Sequence, residues 1–276
     1  ETTDTLGHQK KVNYALRPEM TEDEFVTELL TGLTRPPGYF PQNVLMNING
    51  YPGLDSVLEK ARQPLDADQF EAIANATGAL VLDTRSADEF ATGFIPNSIN
   101  IGLDGSFANW VGELIPDIKQ EILLVTDPGR EVESMVRLAR VGYDNTIGYL
   151  ERGFGTWKLA GKEIDTIKRI SANTFEKNKY NKHILLFDFR KQSEFDSEHV
   201  IGAKNIPLNE INEHLAELPK DRPFILYCAG GYRSMIAASI LKQRGYNNFS
   251  DIRGGFTEIA KTSIPRSPYV GPTTLL

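Results

Sequence analysis

Residues 80–101 read LVLDTRSADEFATGFIPNSINI, and residues 185–206 read LLFDFRKQSEFDSEHVIGAKNI. The two stretches align without a gap at a shift of 105 positions, and each carries Asp-x-Arg directly after an aliphatic run. Internal similarity over such a length is the signature of a repeated structural unit. The sequence therefore predicts two homologous domains.

A second pair of stretches repeats further along the chain. ILLVTDPGREVESMVRLARVGYDN (122–145) aligns with ILYCAGGYRSMIAASILKQRGYNN (225–248) at a shift of 103, and YLERGF (149–154) lies over DIRGGF (251–256). In both units, short aliphatic runs typical of buried strands alternate with helical patterns. Such alternation predicts an α/β fold in which each domain is a parallel sheet flanked by helices.

The repeats place the two domains at residues 65–165 and 166–276, after a non-repeating N-terminal extension at residues 1–64. Within the extension, TEDE (21–24) is a capping-box pattern that predicts a short amphipathic helix. Two stretches rich in proline, glycine and asparagine are predicted to be irregular instead, TRPPGYFPQN (34–43) and NINGYPG (47–53).

The composition is that of a globular protein with a net charge of −7 and a single cysteine. Nucleic-acid binders concentrate Lys and Arg against phosphate, so this charge argues against nucleic acid as a partner. No run of about 18 apolar residues occurs, so no membrane span is predicted. A lone cysteine forms no intrachain disulfide, which fits a reducing, cytoplasmic compartment. The first residue is Glu1 rather than methionine, and we expect it to be a cut end.

The single cysteine, Cys228, lies in YCAGGYRS (227–234), between a strand pattern and a helical pattern. A cysteine attacks as the thiolate, which the unpaired N–H groups at a helix N-terminus stabilise. Gly230 and Gly231 are expected to adopt positive φ and to turn successive N–H groups inward as an anion-binding nest. Arg233 adds a cation where the helix is predicted to start. A Cys-x4-Arg loop of this kind fits two reactions, sulfur transfer and phosphate-ester hydrolysis.

Residues 174–262 resemble the rhodanese family of sulfurtransferases in five elements that occur in order: Asp-x-Arg, Glu-Phe, a Gly-His-Ile-Pro-Gly-Ala-like segment, Cys-x-x-Gly-x-Arg and a late Gly-Gly pair. Glu198 and Ile201 depart from the pattern, since glycine and proline are usual there. The resemblance implies that Cys228 is the nucleophile and carries a sulfane sulfur as a persulfide, with Arg233 as the second catalytic residue. It also implies that the rest of the loop binds substrate: Ala229, Gly230, Gly231, Tyr232 and Ser234.

Other interpretations compete with sulfur transfer. Phosphatases that resemble this family have five residues between cysteine and arginine, whereas this loop has four and no adjacent general-acid aspartate. A lone cysteine is more often a small buried hydrophobe, and both repeats could form a binding scaffold. Sulfur transfer also requires a thiol that a donor can reach. Asp188 and Arg190 are expected to form an internal ion pair or cap near the site rather than to contact substrate.

The first repeat carries no cysteine. At the shift of 103, Val125 lies over Cys228, and a slipped alignment places Thr126 or Asp127 there instead. Pro128 removes an N–H donor from this loop, and the carboxylate of Asp127 would repel an anion. We therefore expect the first repeat to be catalytically inactive and to have a structural role.

The N-terminal extension resembles the tail of metallo-β-lactamase-fold persulfide dioxygenases fused to rhodanese repeats, through HQKKVNYAL (8–16), EFVTELLTGL (24–33) and PPGYFPQNVLMN (36–47). The iron ligands of that fold, a His-x-His-x-Asp-His cluster, are absent, and no pair of histidines has metal-ligand spacing. No metal or other cofactor is predicted. The resemblance implies that the chain is the C-terminal part of a longer parent protein, through which it could form a homo-oligomer.

Together these patterns predict a sulfurtransferase of sulfide or persulfide metabolism. The donor would be thiosulfate or a low-molecular-weight persulfide, and the acceptor a thiol, cyanide or sulfite. Ala229 and Gly230 carry no charge, so the loop gives little added attraction for the thiosulfate dianion. This favours persulfide donors.

Overall fold

The computed structural model describes residues 3–30, 38–177 and 184–271. The chain divides into two compact units, and the larger one, residues 37–270, contains both repeats. The smaller unit holds helices α1 (Leu6–Val12) and α2 (Glu22–Leu30), with a 3-10 turn at Tyr14–Leu16. The predicted capping box begins α2: Thr21 N donates to Glu24 Oε2 at 2.9 Å, and Glu24 N donates to Thr21 Oγ1 at 3.3 Å.

Two helices precede the first repeat in the larger unit, α3 (Phe40–Asn49) and α4 (Leu54–Ala61). The prediction of irregular structure is therefore wrong for the residues in α3, while residues 34–37 lie outside the described chain. A proline in the first turn suits a helix start because its missing N–H has no partner there, and Gly50, at φ 81°, ends the helix. The proline and the glycine thus mark the two ends of a helix rather than a loop.

The first repeat is a five-stranded parallel sheet with the order β1-β5-β4-β2-β3. Its strands are β1 (Pro64–Leu65), β2 (Leu80–Asp83), β3 (Ile99–Asn100), β4 (Ile122–Val125) and β5 (Thr146–Leu150). Its helices are α5 (Ala67–Thr77), α6 (Ala87–Thr92), α7 (Phe107–Leu114), α8 (Glu131–Ala139) and α9 (Phe154–Leu159). Helix α4 packs on α8 and β5 and buries Val57, Leu58 and Ala61.

The second repeat is a parallel sheet of the same design, with the order β6-β10-β9-β7-β8. Its strands are β6 (Arg169–Ser171), β7 (Leu185–Asp188), β8 (Lys204–Asn205), β9 (Phe224–Tyr227) and β10 (Phe249–Arg253). Its helices are α10 (Ala172–Lys177), α11 (Gln192–Ser197), α12 (Ile211–His214), α13 (Tyr232–Gln243) and α14 (Gly255–Ile259), with 3-10 turns at Leu208–Glu210 and Leu215–Glu217. The predicted α/β fold of two parallel sheets flanked by helices is confirmed. None of the helices in the described residues has the length and hydropathy needed to cross a membrane.

Helix α13 joins the two repeats. Every residue from Ser234 to Leu241 is buried, and a helix buried on all sides lies inside a core rather than on its surface. One face packs on the second sheet, and another packs on β3 and α6 of the first repeat. Polar contacts fasten it there: Asn100 N donates to Ser239 Oγ at 3.0 Å, and Lys242 Nζ lies 2.9 Å from Asp165 Oδ1. The helix that follows the cysteine is therefore held by both repeats.

Candidate active site

The cysteine lies at the carboxyl end of strand β9, between that strand and helix α13. Cys228 is 1% exposed, and its Sγ accepts a hydrogen bond from the backbone N–H of Gly231 at 3.2 Å. The helix begins at Tyr232, one residue before the predicted start at Arg233. The N–H groups in the first turn of a helix have no intrahelical partner, so this end of α13 presents donors beside the sulfur. The burial differs from the accessible thiol that the sequence hypothesis required.

The two loop glycines play different parts. Gly231 is the N-cap of α13 and has φ 96°, in the left-handed region that favours glycine. Gly230 does not have a positive φ, so the prediction of a left-handed conformation at both positions is wrong for Gly230. Gly230 is exposed, and a Cβ built on it would meet no atom within 4 Å. It therefore lies at the open side of the loop.

Helix α14 holds the carbonyl groups of the loop. Phe256 N donates to Cys228 O at 2.7 Å, and Thr257 donates to Ala229 O at 3.0 Å through both its N–H and its hydroxyl. The backbones approach so closely that a Cβ on Gly255 would lie 2.2 Å from Cys228 O. With its carbonyl groups engaged by α14, the loop keeps amide N–H groups for an anion. Those of Ala229 and Gly230 have no partner among the described residues.

The loop arginine is paired with a residue that the sequence analysis did not assign to the site. Arg233 Nη1 and Nη2 donate to the two carboxylate oxygens of Glu194, in α11, at 2.6 and 2.9 Å. Burial opposes ionisation of Glu194, but the hydrogen bonds and charge of Arg233 outweigh it, so the pKa of Glu194 is lowered. The Glu-Phe pair present in both repeats was the available sequence signal for this residue.

Asp188 and Arg190 form a buried ion pair behind the loop. Arg190 Nε donates to both carboxylate oxygens of Asp188 at 3.0 and 2.9 Å, and Nη2 donates to Oδ2 at 2.6 Å. The same guanidinium lies 4.0 Å from the centre of the Phe256 ring and donates to the carbonyl oxygen of Glu198. Both groups use their polar atoms within the protein, which suits a structural role beside the site.

Two residues predicted to bind substrate direct their side chains elsewhere. The hydroxyl of Tyr232 donates to the carbonyl oxygen of Gly102, in the first repeat, at 2.7 Å. Ser234 is fully buried in α13, and its hydroxyl interacts with the buried carboxylate of Asp251 rather than with the loop. A contribution of Tyr232 or Ser234 to binding would therefore come from the backbone N–H.

A family model for the rhodanese-like domain matches residues 66–160 and again residues 171–262. The chain belongs to the rhodanese-like family. The matched residues begin at 66, so the resemblance of the extension to dioxygenase fusion proteins remains a prediction. Among residues 3–30, 38–177 and 184–271, no three His, Cys, Asp or Glu side chains are grouped so that they could hold a metal ion.

Several relatives match about a quarter to a third of this rhodanese-like chain. The uncharacterized protein YqhL of Bacillus subtilis is 38% identical over 71 residues, which are 26% of this chain and 56% of that protein. A sulfurtransferase of Allochromatium vinosum is 34% identical over 82 residues, 30% of this chain and 77% of that protein. The probable adenylyltransferase/sulfurtransferase MoeZ of Mycobacterium tuberculosis is 39% identical over 84 residues, 30% of this chain and 21% of that protein. The family therefore includes proteins named as sulfurtransferases, and this chain spans only part of their length.

The strand register of the first rhodanese-like domain corrects the sequence alignment. Val125 pairs with Asp83 as Tyr227 pairs with Asp188, so Val125 is the counterpart of Tyr227 and not of the cysteine. Thr126 takes the position of Cys228. The alignment was shifted by one residue because nothing in the sequence shows which residues of the two strands face each other. The pairing of β2 with β4 determines this register.

The loop of the first domain differs from the Cys228 loop in charge as well as in the residue at the cysteine position. Thr126 is buried, and its Oγ1 accepts a hydrogen bond from Ser134 at 3.3 Å. Glu131 follows Thr126 by five residues, and Arg130, which lies over Arg233 at the shift of 103, pairs with two carboxylates, those of Asp104 and Glu133. Burial raises the pKa of Asp127 in this loop, and the nearby Glu89 adds to the rise. A loop lined by carboxylates is unsuited to an anion.

Proposed function

We propose that this protein is a sulfurtransferase in which Cys228 carries the transferred sulfur. The observation that carries the proposal is the hydrogen bond from Gly231 N to Cys228 Sγ, at the start of a helix whose first N–H groups are unpaired. Preorganised donors of this kind stabilise a negative charge on sulfur without reorganising. The family relationship to named sulfurtransferases supports the same reaction class.

The reaction consists of two exchanges at sulfur. In the first, the Cys228 thiolate attacks the outer sulfur of a persulfide R–S–SH; a new S–S bond forms, the old one breaks, and R–S⁻ leaves. The proton of the donor stays on the transferred sulfur and is released to solvent when that sulfur ionises. In the second, an acceptor such as cyanide attacks the outer sulfur and leaves as thiocyanate, which restores the Cys228 thiolate. A thiol or sulfite accepts the sulfur in the same way.

Charge around the loop favours a persulfide over thiosulfate as donor. Thiosulfate is a dianion, so an unpaired cation would strengthen its binding, whereas a persulfide presents a single terminal sulfur. Each arginine at or behind the loop already has a carboxylate partner: Arg190 with Asp188, Arg233 with Glu194, and Arg169 with Asp251. The backbone N–H groups then remain as the main attraction for the incoming sulfur.

Burial of the thiol limits the shape of the donor. With Cys228 only 1% exposed, a donor must reach the sulfur with a slender end rather than with a broad face. Gly230 is exposed and has open space where a side chain would project, so the approach lies past this residue. A terminal sulfur atom on a flexible chain meets that requirement.

The test is a mass measurement on the intact chain. After incubation with a glutathione-type persulfide, Cys228 should gain one sulfur, about 32 Da, and cyanide should remove it, because a thiolate is the attacking group. Cys228→Ser should keep the fold and gain nothing. The proposal fails if the wild-type chain gains no sulfur from either the persulfide or thiosulfate, or if the Cys228→Ser chain still turns over.

The near-complete burial of Cys228 favours a second candidate, a binding scaffold without sulfur transfer. Buried free cysteines commonly act as small hydrophobes, and Cys228 packs within the same apolar cluster as Leu226 and Met235. The scaffold predicts no mass gain and no alkylation of Cys228 in the folded protein. The same samples therefore separate the two candidates.

A further inference from the structure

One guanidinium touches three parts of the molecule that meet beneath the active loop. Arg169 stands at the start of β6, and its side chain is 6% exposed. Its Nε donates to Oδ2 of Asp251, a fully buried carboxylate on β10, at 2.8 Å. This contact fastens Arg169 within the second domain.

The second contact reaches the inactive domain. Nη1 of Arg169 donates to Oδ1 of Asp88, in the first turn of α6. Arg253 Nε lies 3.6 Å from the same carboxylate oxygen. The Asp88 side chain is 64% exposed, so it is accessible to substitution without opening a core.

The third contact is with the active loop itself. A Cβ built on Gly231 would lie 2.9 Å from Nη2 of Arg169, so the guanidinium lies directly against this residue. Gly231 is also the residue whose N–H donates to Cys228 Sγ. The position of Arg169 therefore bears on the donor that faces the sulfur.

We propose that Arg169 is a positioning residue for the active loop and that Asp88, in the inactive domain, sets its orientation. A guanidinium is a rigid planar fork, so fixing Nε and Nη1 on two carboxylates also fixes where Nη2 lies. The inactive domain thus acts on the reaction by aligning Gly231 with Cys228. This inference rests on the proposed sulfur transfer through Cys228.

The deciding variant is Asp88→Asn, which keeps the shape of the side chain and removes its charge. Because small misplacements of a reacting group are costly, kcat for sulfur transfer from a persulfide should fall roughly 3- to 10-fold, with KM changed less than about twofold. The rate of Cys228 alkylation by iodoacetamide should fall by a similar factor. Asp88→Glu, which restores the carboxylate, should recover more than half of the loss.

The matched control is Glu71→Gln, which removes a carboxylate from another ion pair of the first domain, with Lys162 Nζ at 2.7 Å. It should leave kcat and the alkylation rate unchanged. Arg169→Lys keeps the charge and loses the fork, so it should behave like Asp88→Asn.

Three results would overturn the inference. They are an Asp88→Asn chain with wild-type kcat and alkylation rate, a loss that Glu71→Gln reproduces, and a loss that Asp88→Glu does not recover. If the wild-type chain transfers no sulfur, the proposed function fails, yet slower alkylation in Asp88→Asn that Asp88→Glu reverses would still support the positioning role. The two failures are therefore distinguishable.

Discussion

The carboxylate of Glu194 and the guanidinium of Arg233 face each other through two hydrogen bonds of 2.6 and 2.9 Å, so the cation of the active loop has a protein partner before any donor arrives. A paired arginine still shapes the loop. It offers little net charge to a dianion, because its partner sits within contact distance. In the proposed sulfur transfer, we therefore expect Glu194 to influence which donors bind.

Glu194→Gln should shift the donor preference toward thiosulfate. Removing the carboxylate charge leaves Arg233 free to attract the dianion, and a gain of about 1.4 kcal/mol corresponds to a tenfold higher kcat/KM for thiosulfate. The kcat/KM for a neutral or singly charged persulfide should change less than about threefold. Steady-state assays with both donors measure the ratio.

Glu210→Gln is the control for that experiment, because Glu210 pairs at the surface of the same domain with His214 at 3.8 Å. It should leave the donor ratio unchanged. A parallel fall in activity with both donors in Glu194→Gln would contradict the specificity role and point to collapse of the loop.

Gly231→Ala should destabilise the fold, whereas Gly230→Ala should not. Gly231 has φ 96°, and its new Cβ would meet a guanidinium that two carboxylates hold in place. A non-glycine residue in this region costs about 1–3 kcal/mol of unfolding free energy. Urea denaturation of both variants measures the difference. Equal stability of the two variants would show that the loop rearranges freely.

A thiol placed in the first domain should not create a second active site. In Thr126→Cys combined with Cys228→Ser, the nucleophile stands at the matching position, but Arg130 is held by the carboxylates of Asp104 and Glu133, and Asp127 adds negative charge. Like charges disfavour a thiolate and a bound anion. Intact-mass measurement after incubation with persulfide should show no added sulfur at position 126. A gain there equal to that of the wild-type chain would mean that charge does not separate the two domains.

The fold could be predicted because the duplication made its pattern visible twice. Asp-x-Arg at the end of β2 and β7, and Gly142 and Gly245 after α8 and α13, mark the same points in both units. Local patterns of this kind depend on residues close in sequence, and the capping box at Thr21 is another example.

The parts of the site that sequence reasoning missed depend on contacts between residues that are far apart in the sequence. Glu194 precedes Arg233 by 39 positions, and nothing local shows that the first turn of α11 faces the loop. The burial of Cys228 and the turn of Tyr232 toward Gly102 likewise depend on packing between elements. The equivalence of Thr126 and Cys228 could be established only from the pairing of the strands, because short apolar runs can be aligned at more than one shift.

The pH dependence of the unfolding free energy tests the buried charges near the Cys228 loop. The group that it reports on is the carboxyl of Asp251. Burial raises the pKa of Asp251 to about 6, and the neighbouring Arg169 only partly opposes this. A carboxyl whose pKa is higher in the folded state than in the unfolded state binds its proton more tightly when folded. Its contribution to stability is therefore complete at low pH and is lost as the pH rises from about 4 through about 6.

Urea denaturation of the wild-type chain and of Asp251→Asn between pH 4 and pH 7.5 isolates this group, because the other titrating residues are common to both. The unfolding free energy of the wild-type chain, relative to the variant, should fall by on the order of 2–3 kcal/mol between pH 4 and pH 6 and stay level above pH 7. A difference that rises with pH over this range would mean that Arg169, and not burial, governs the carboxyl. In that case the attraction between Asp251 and Arg169 would outweigh the cost of burying the carboxylate. Asp251 would then hold Arg169 in place at every pH at which the protein is folded.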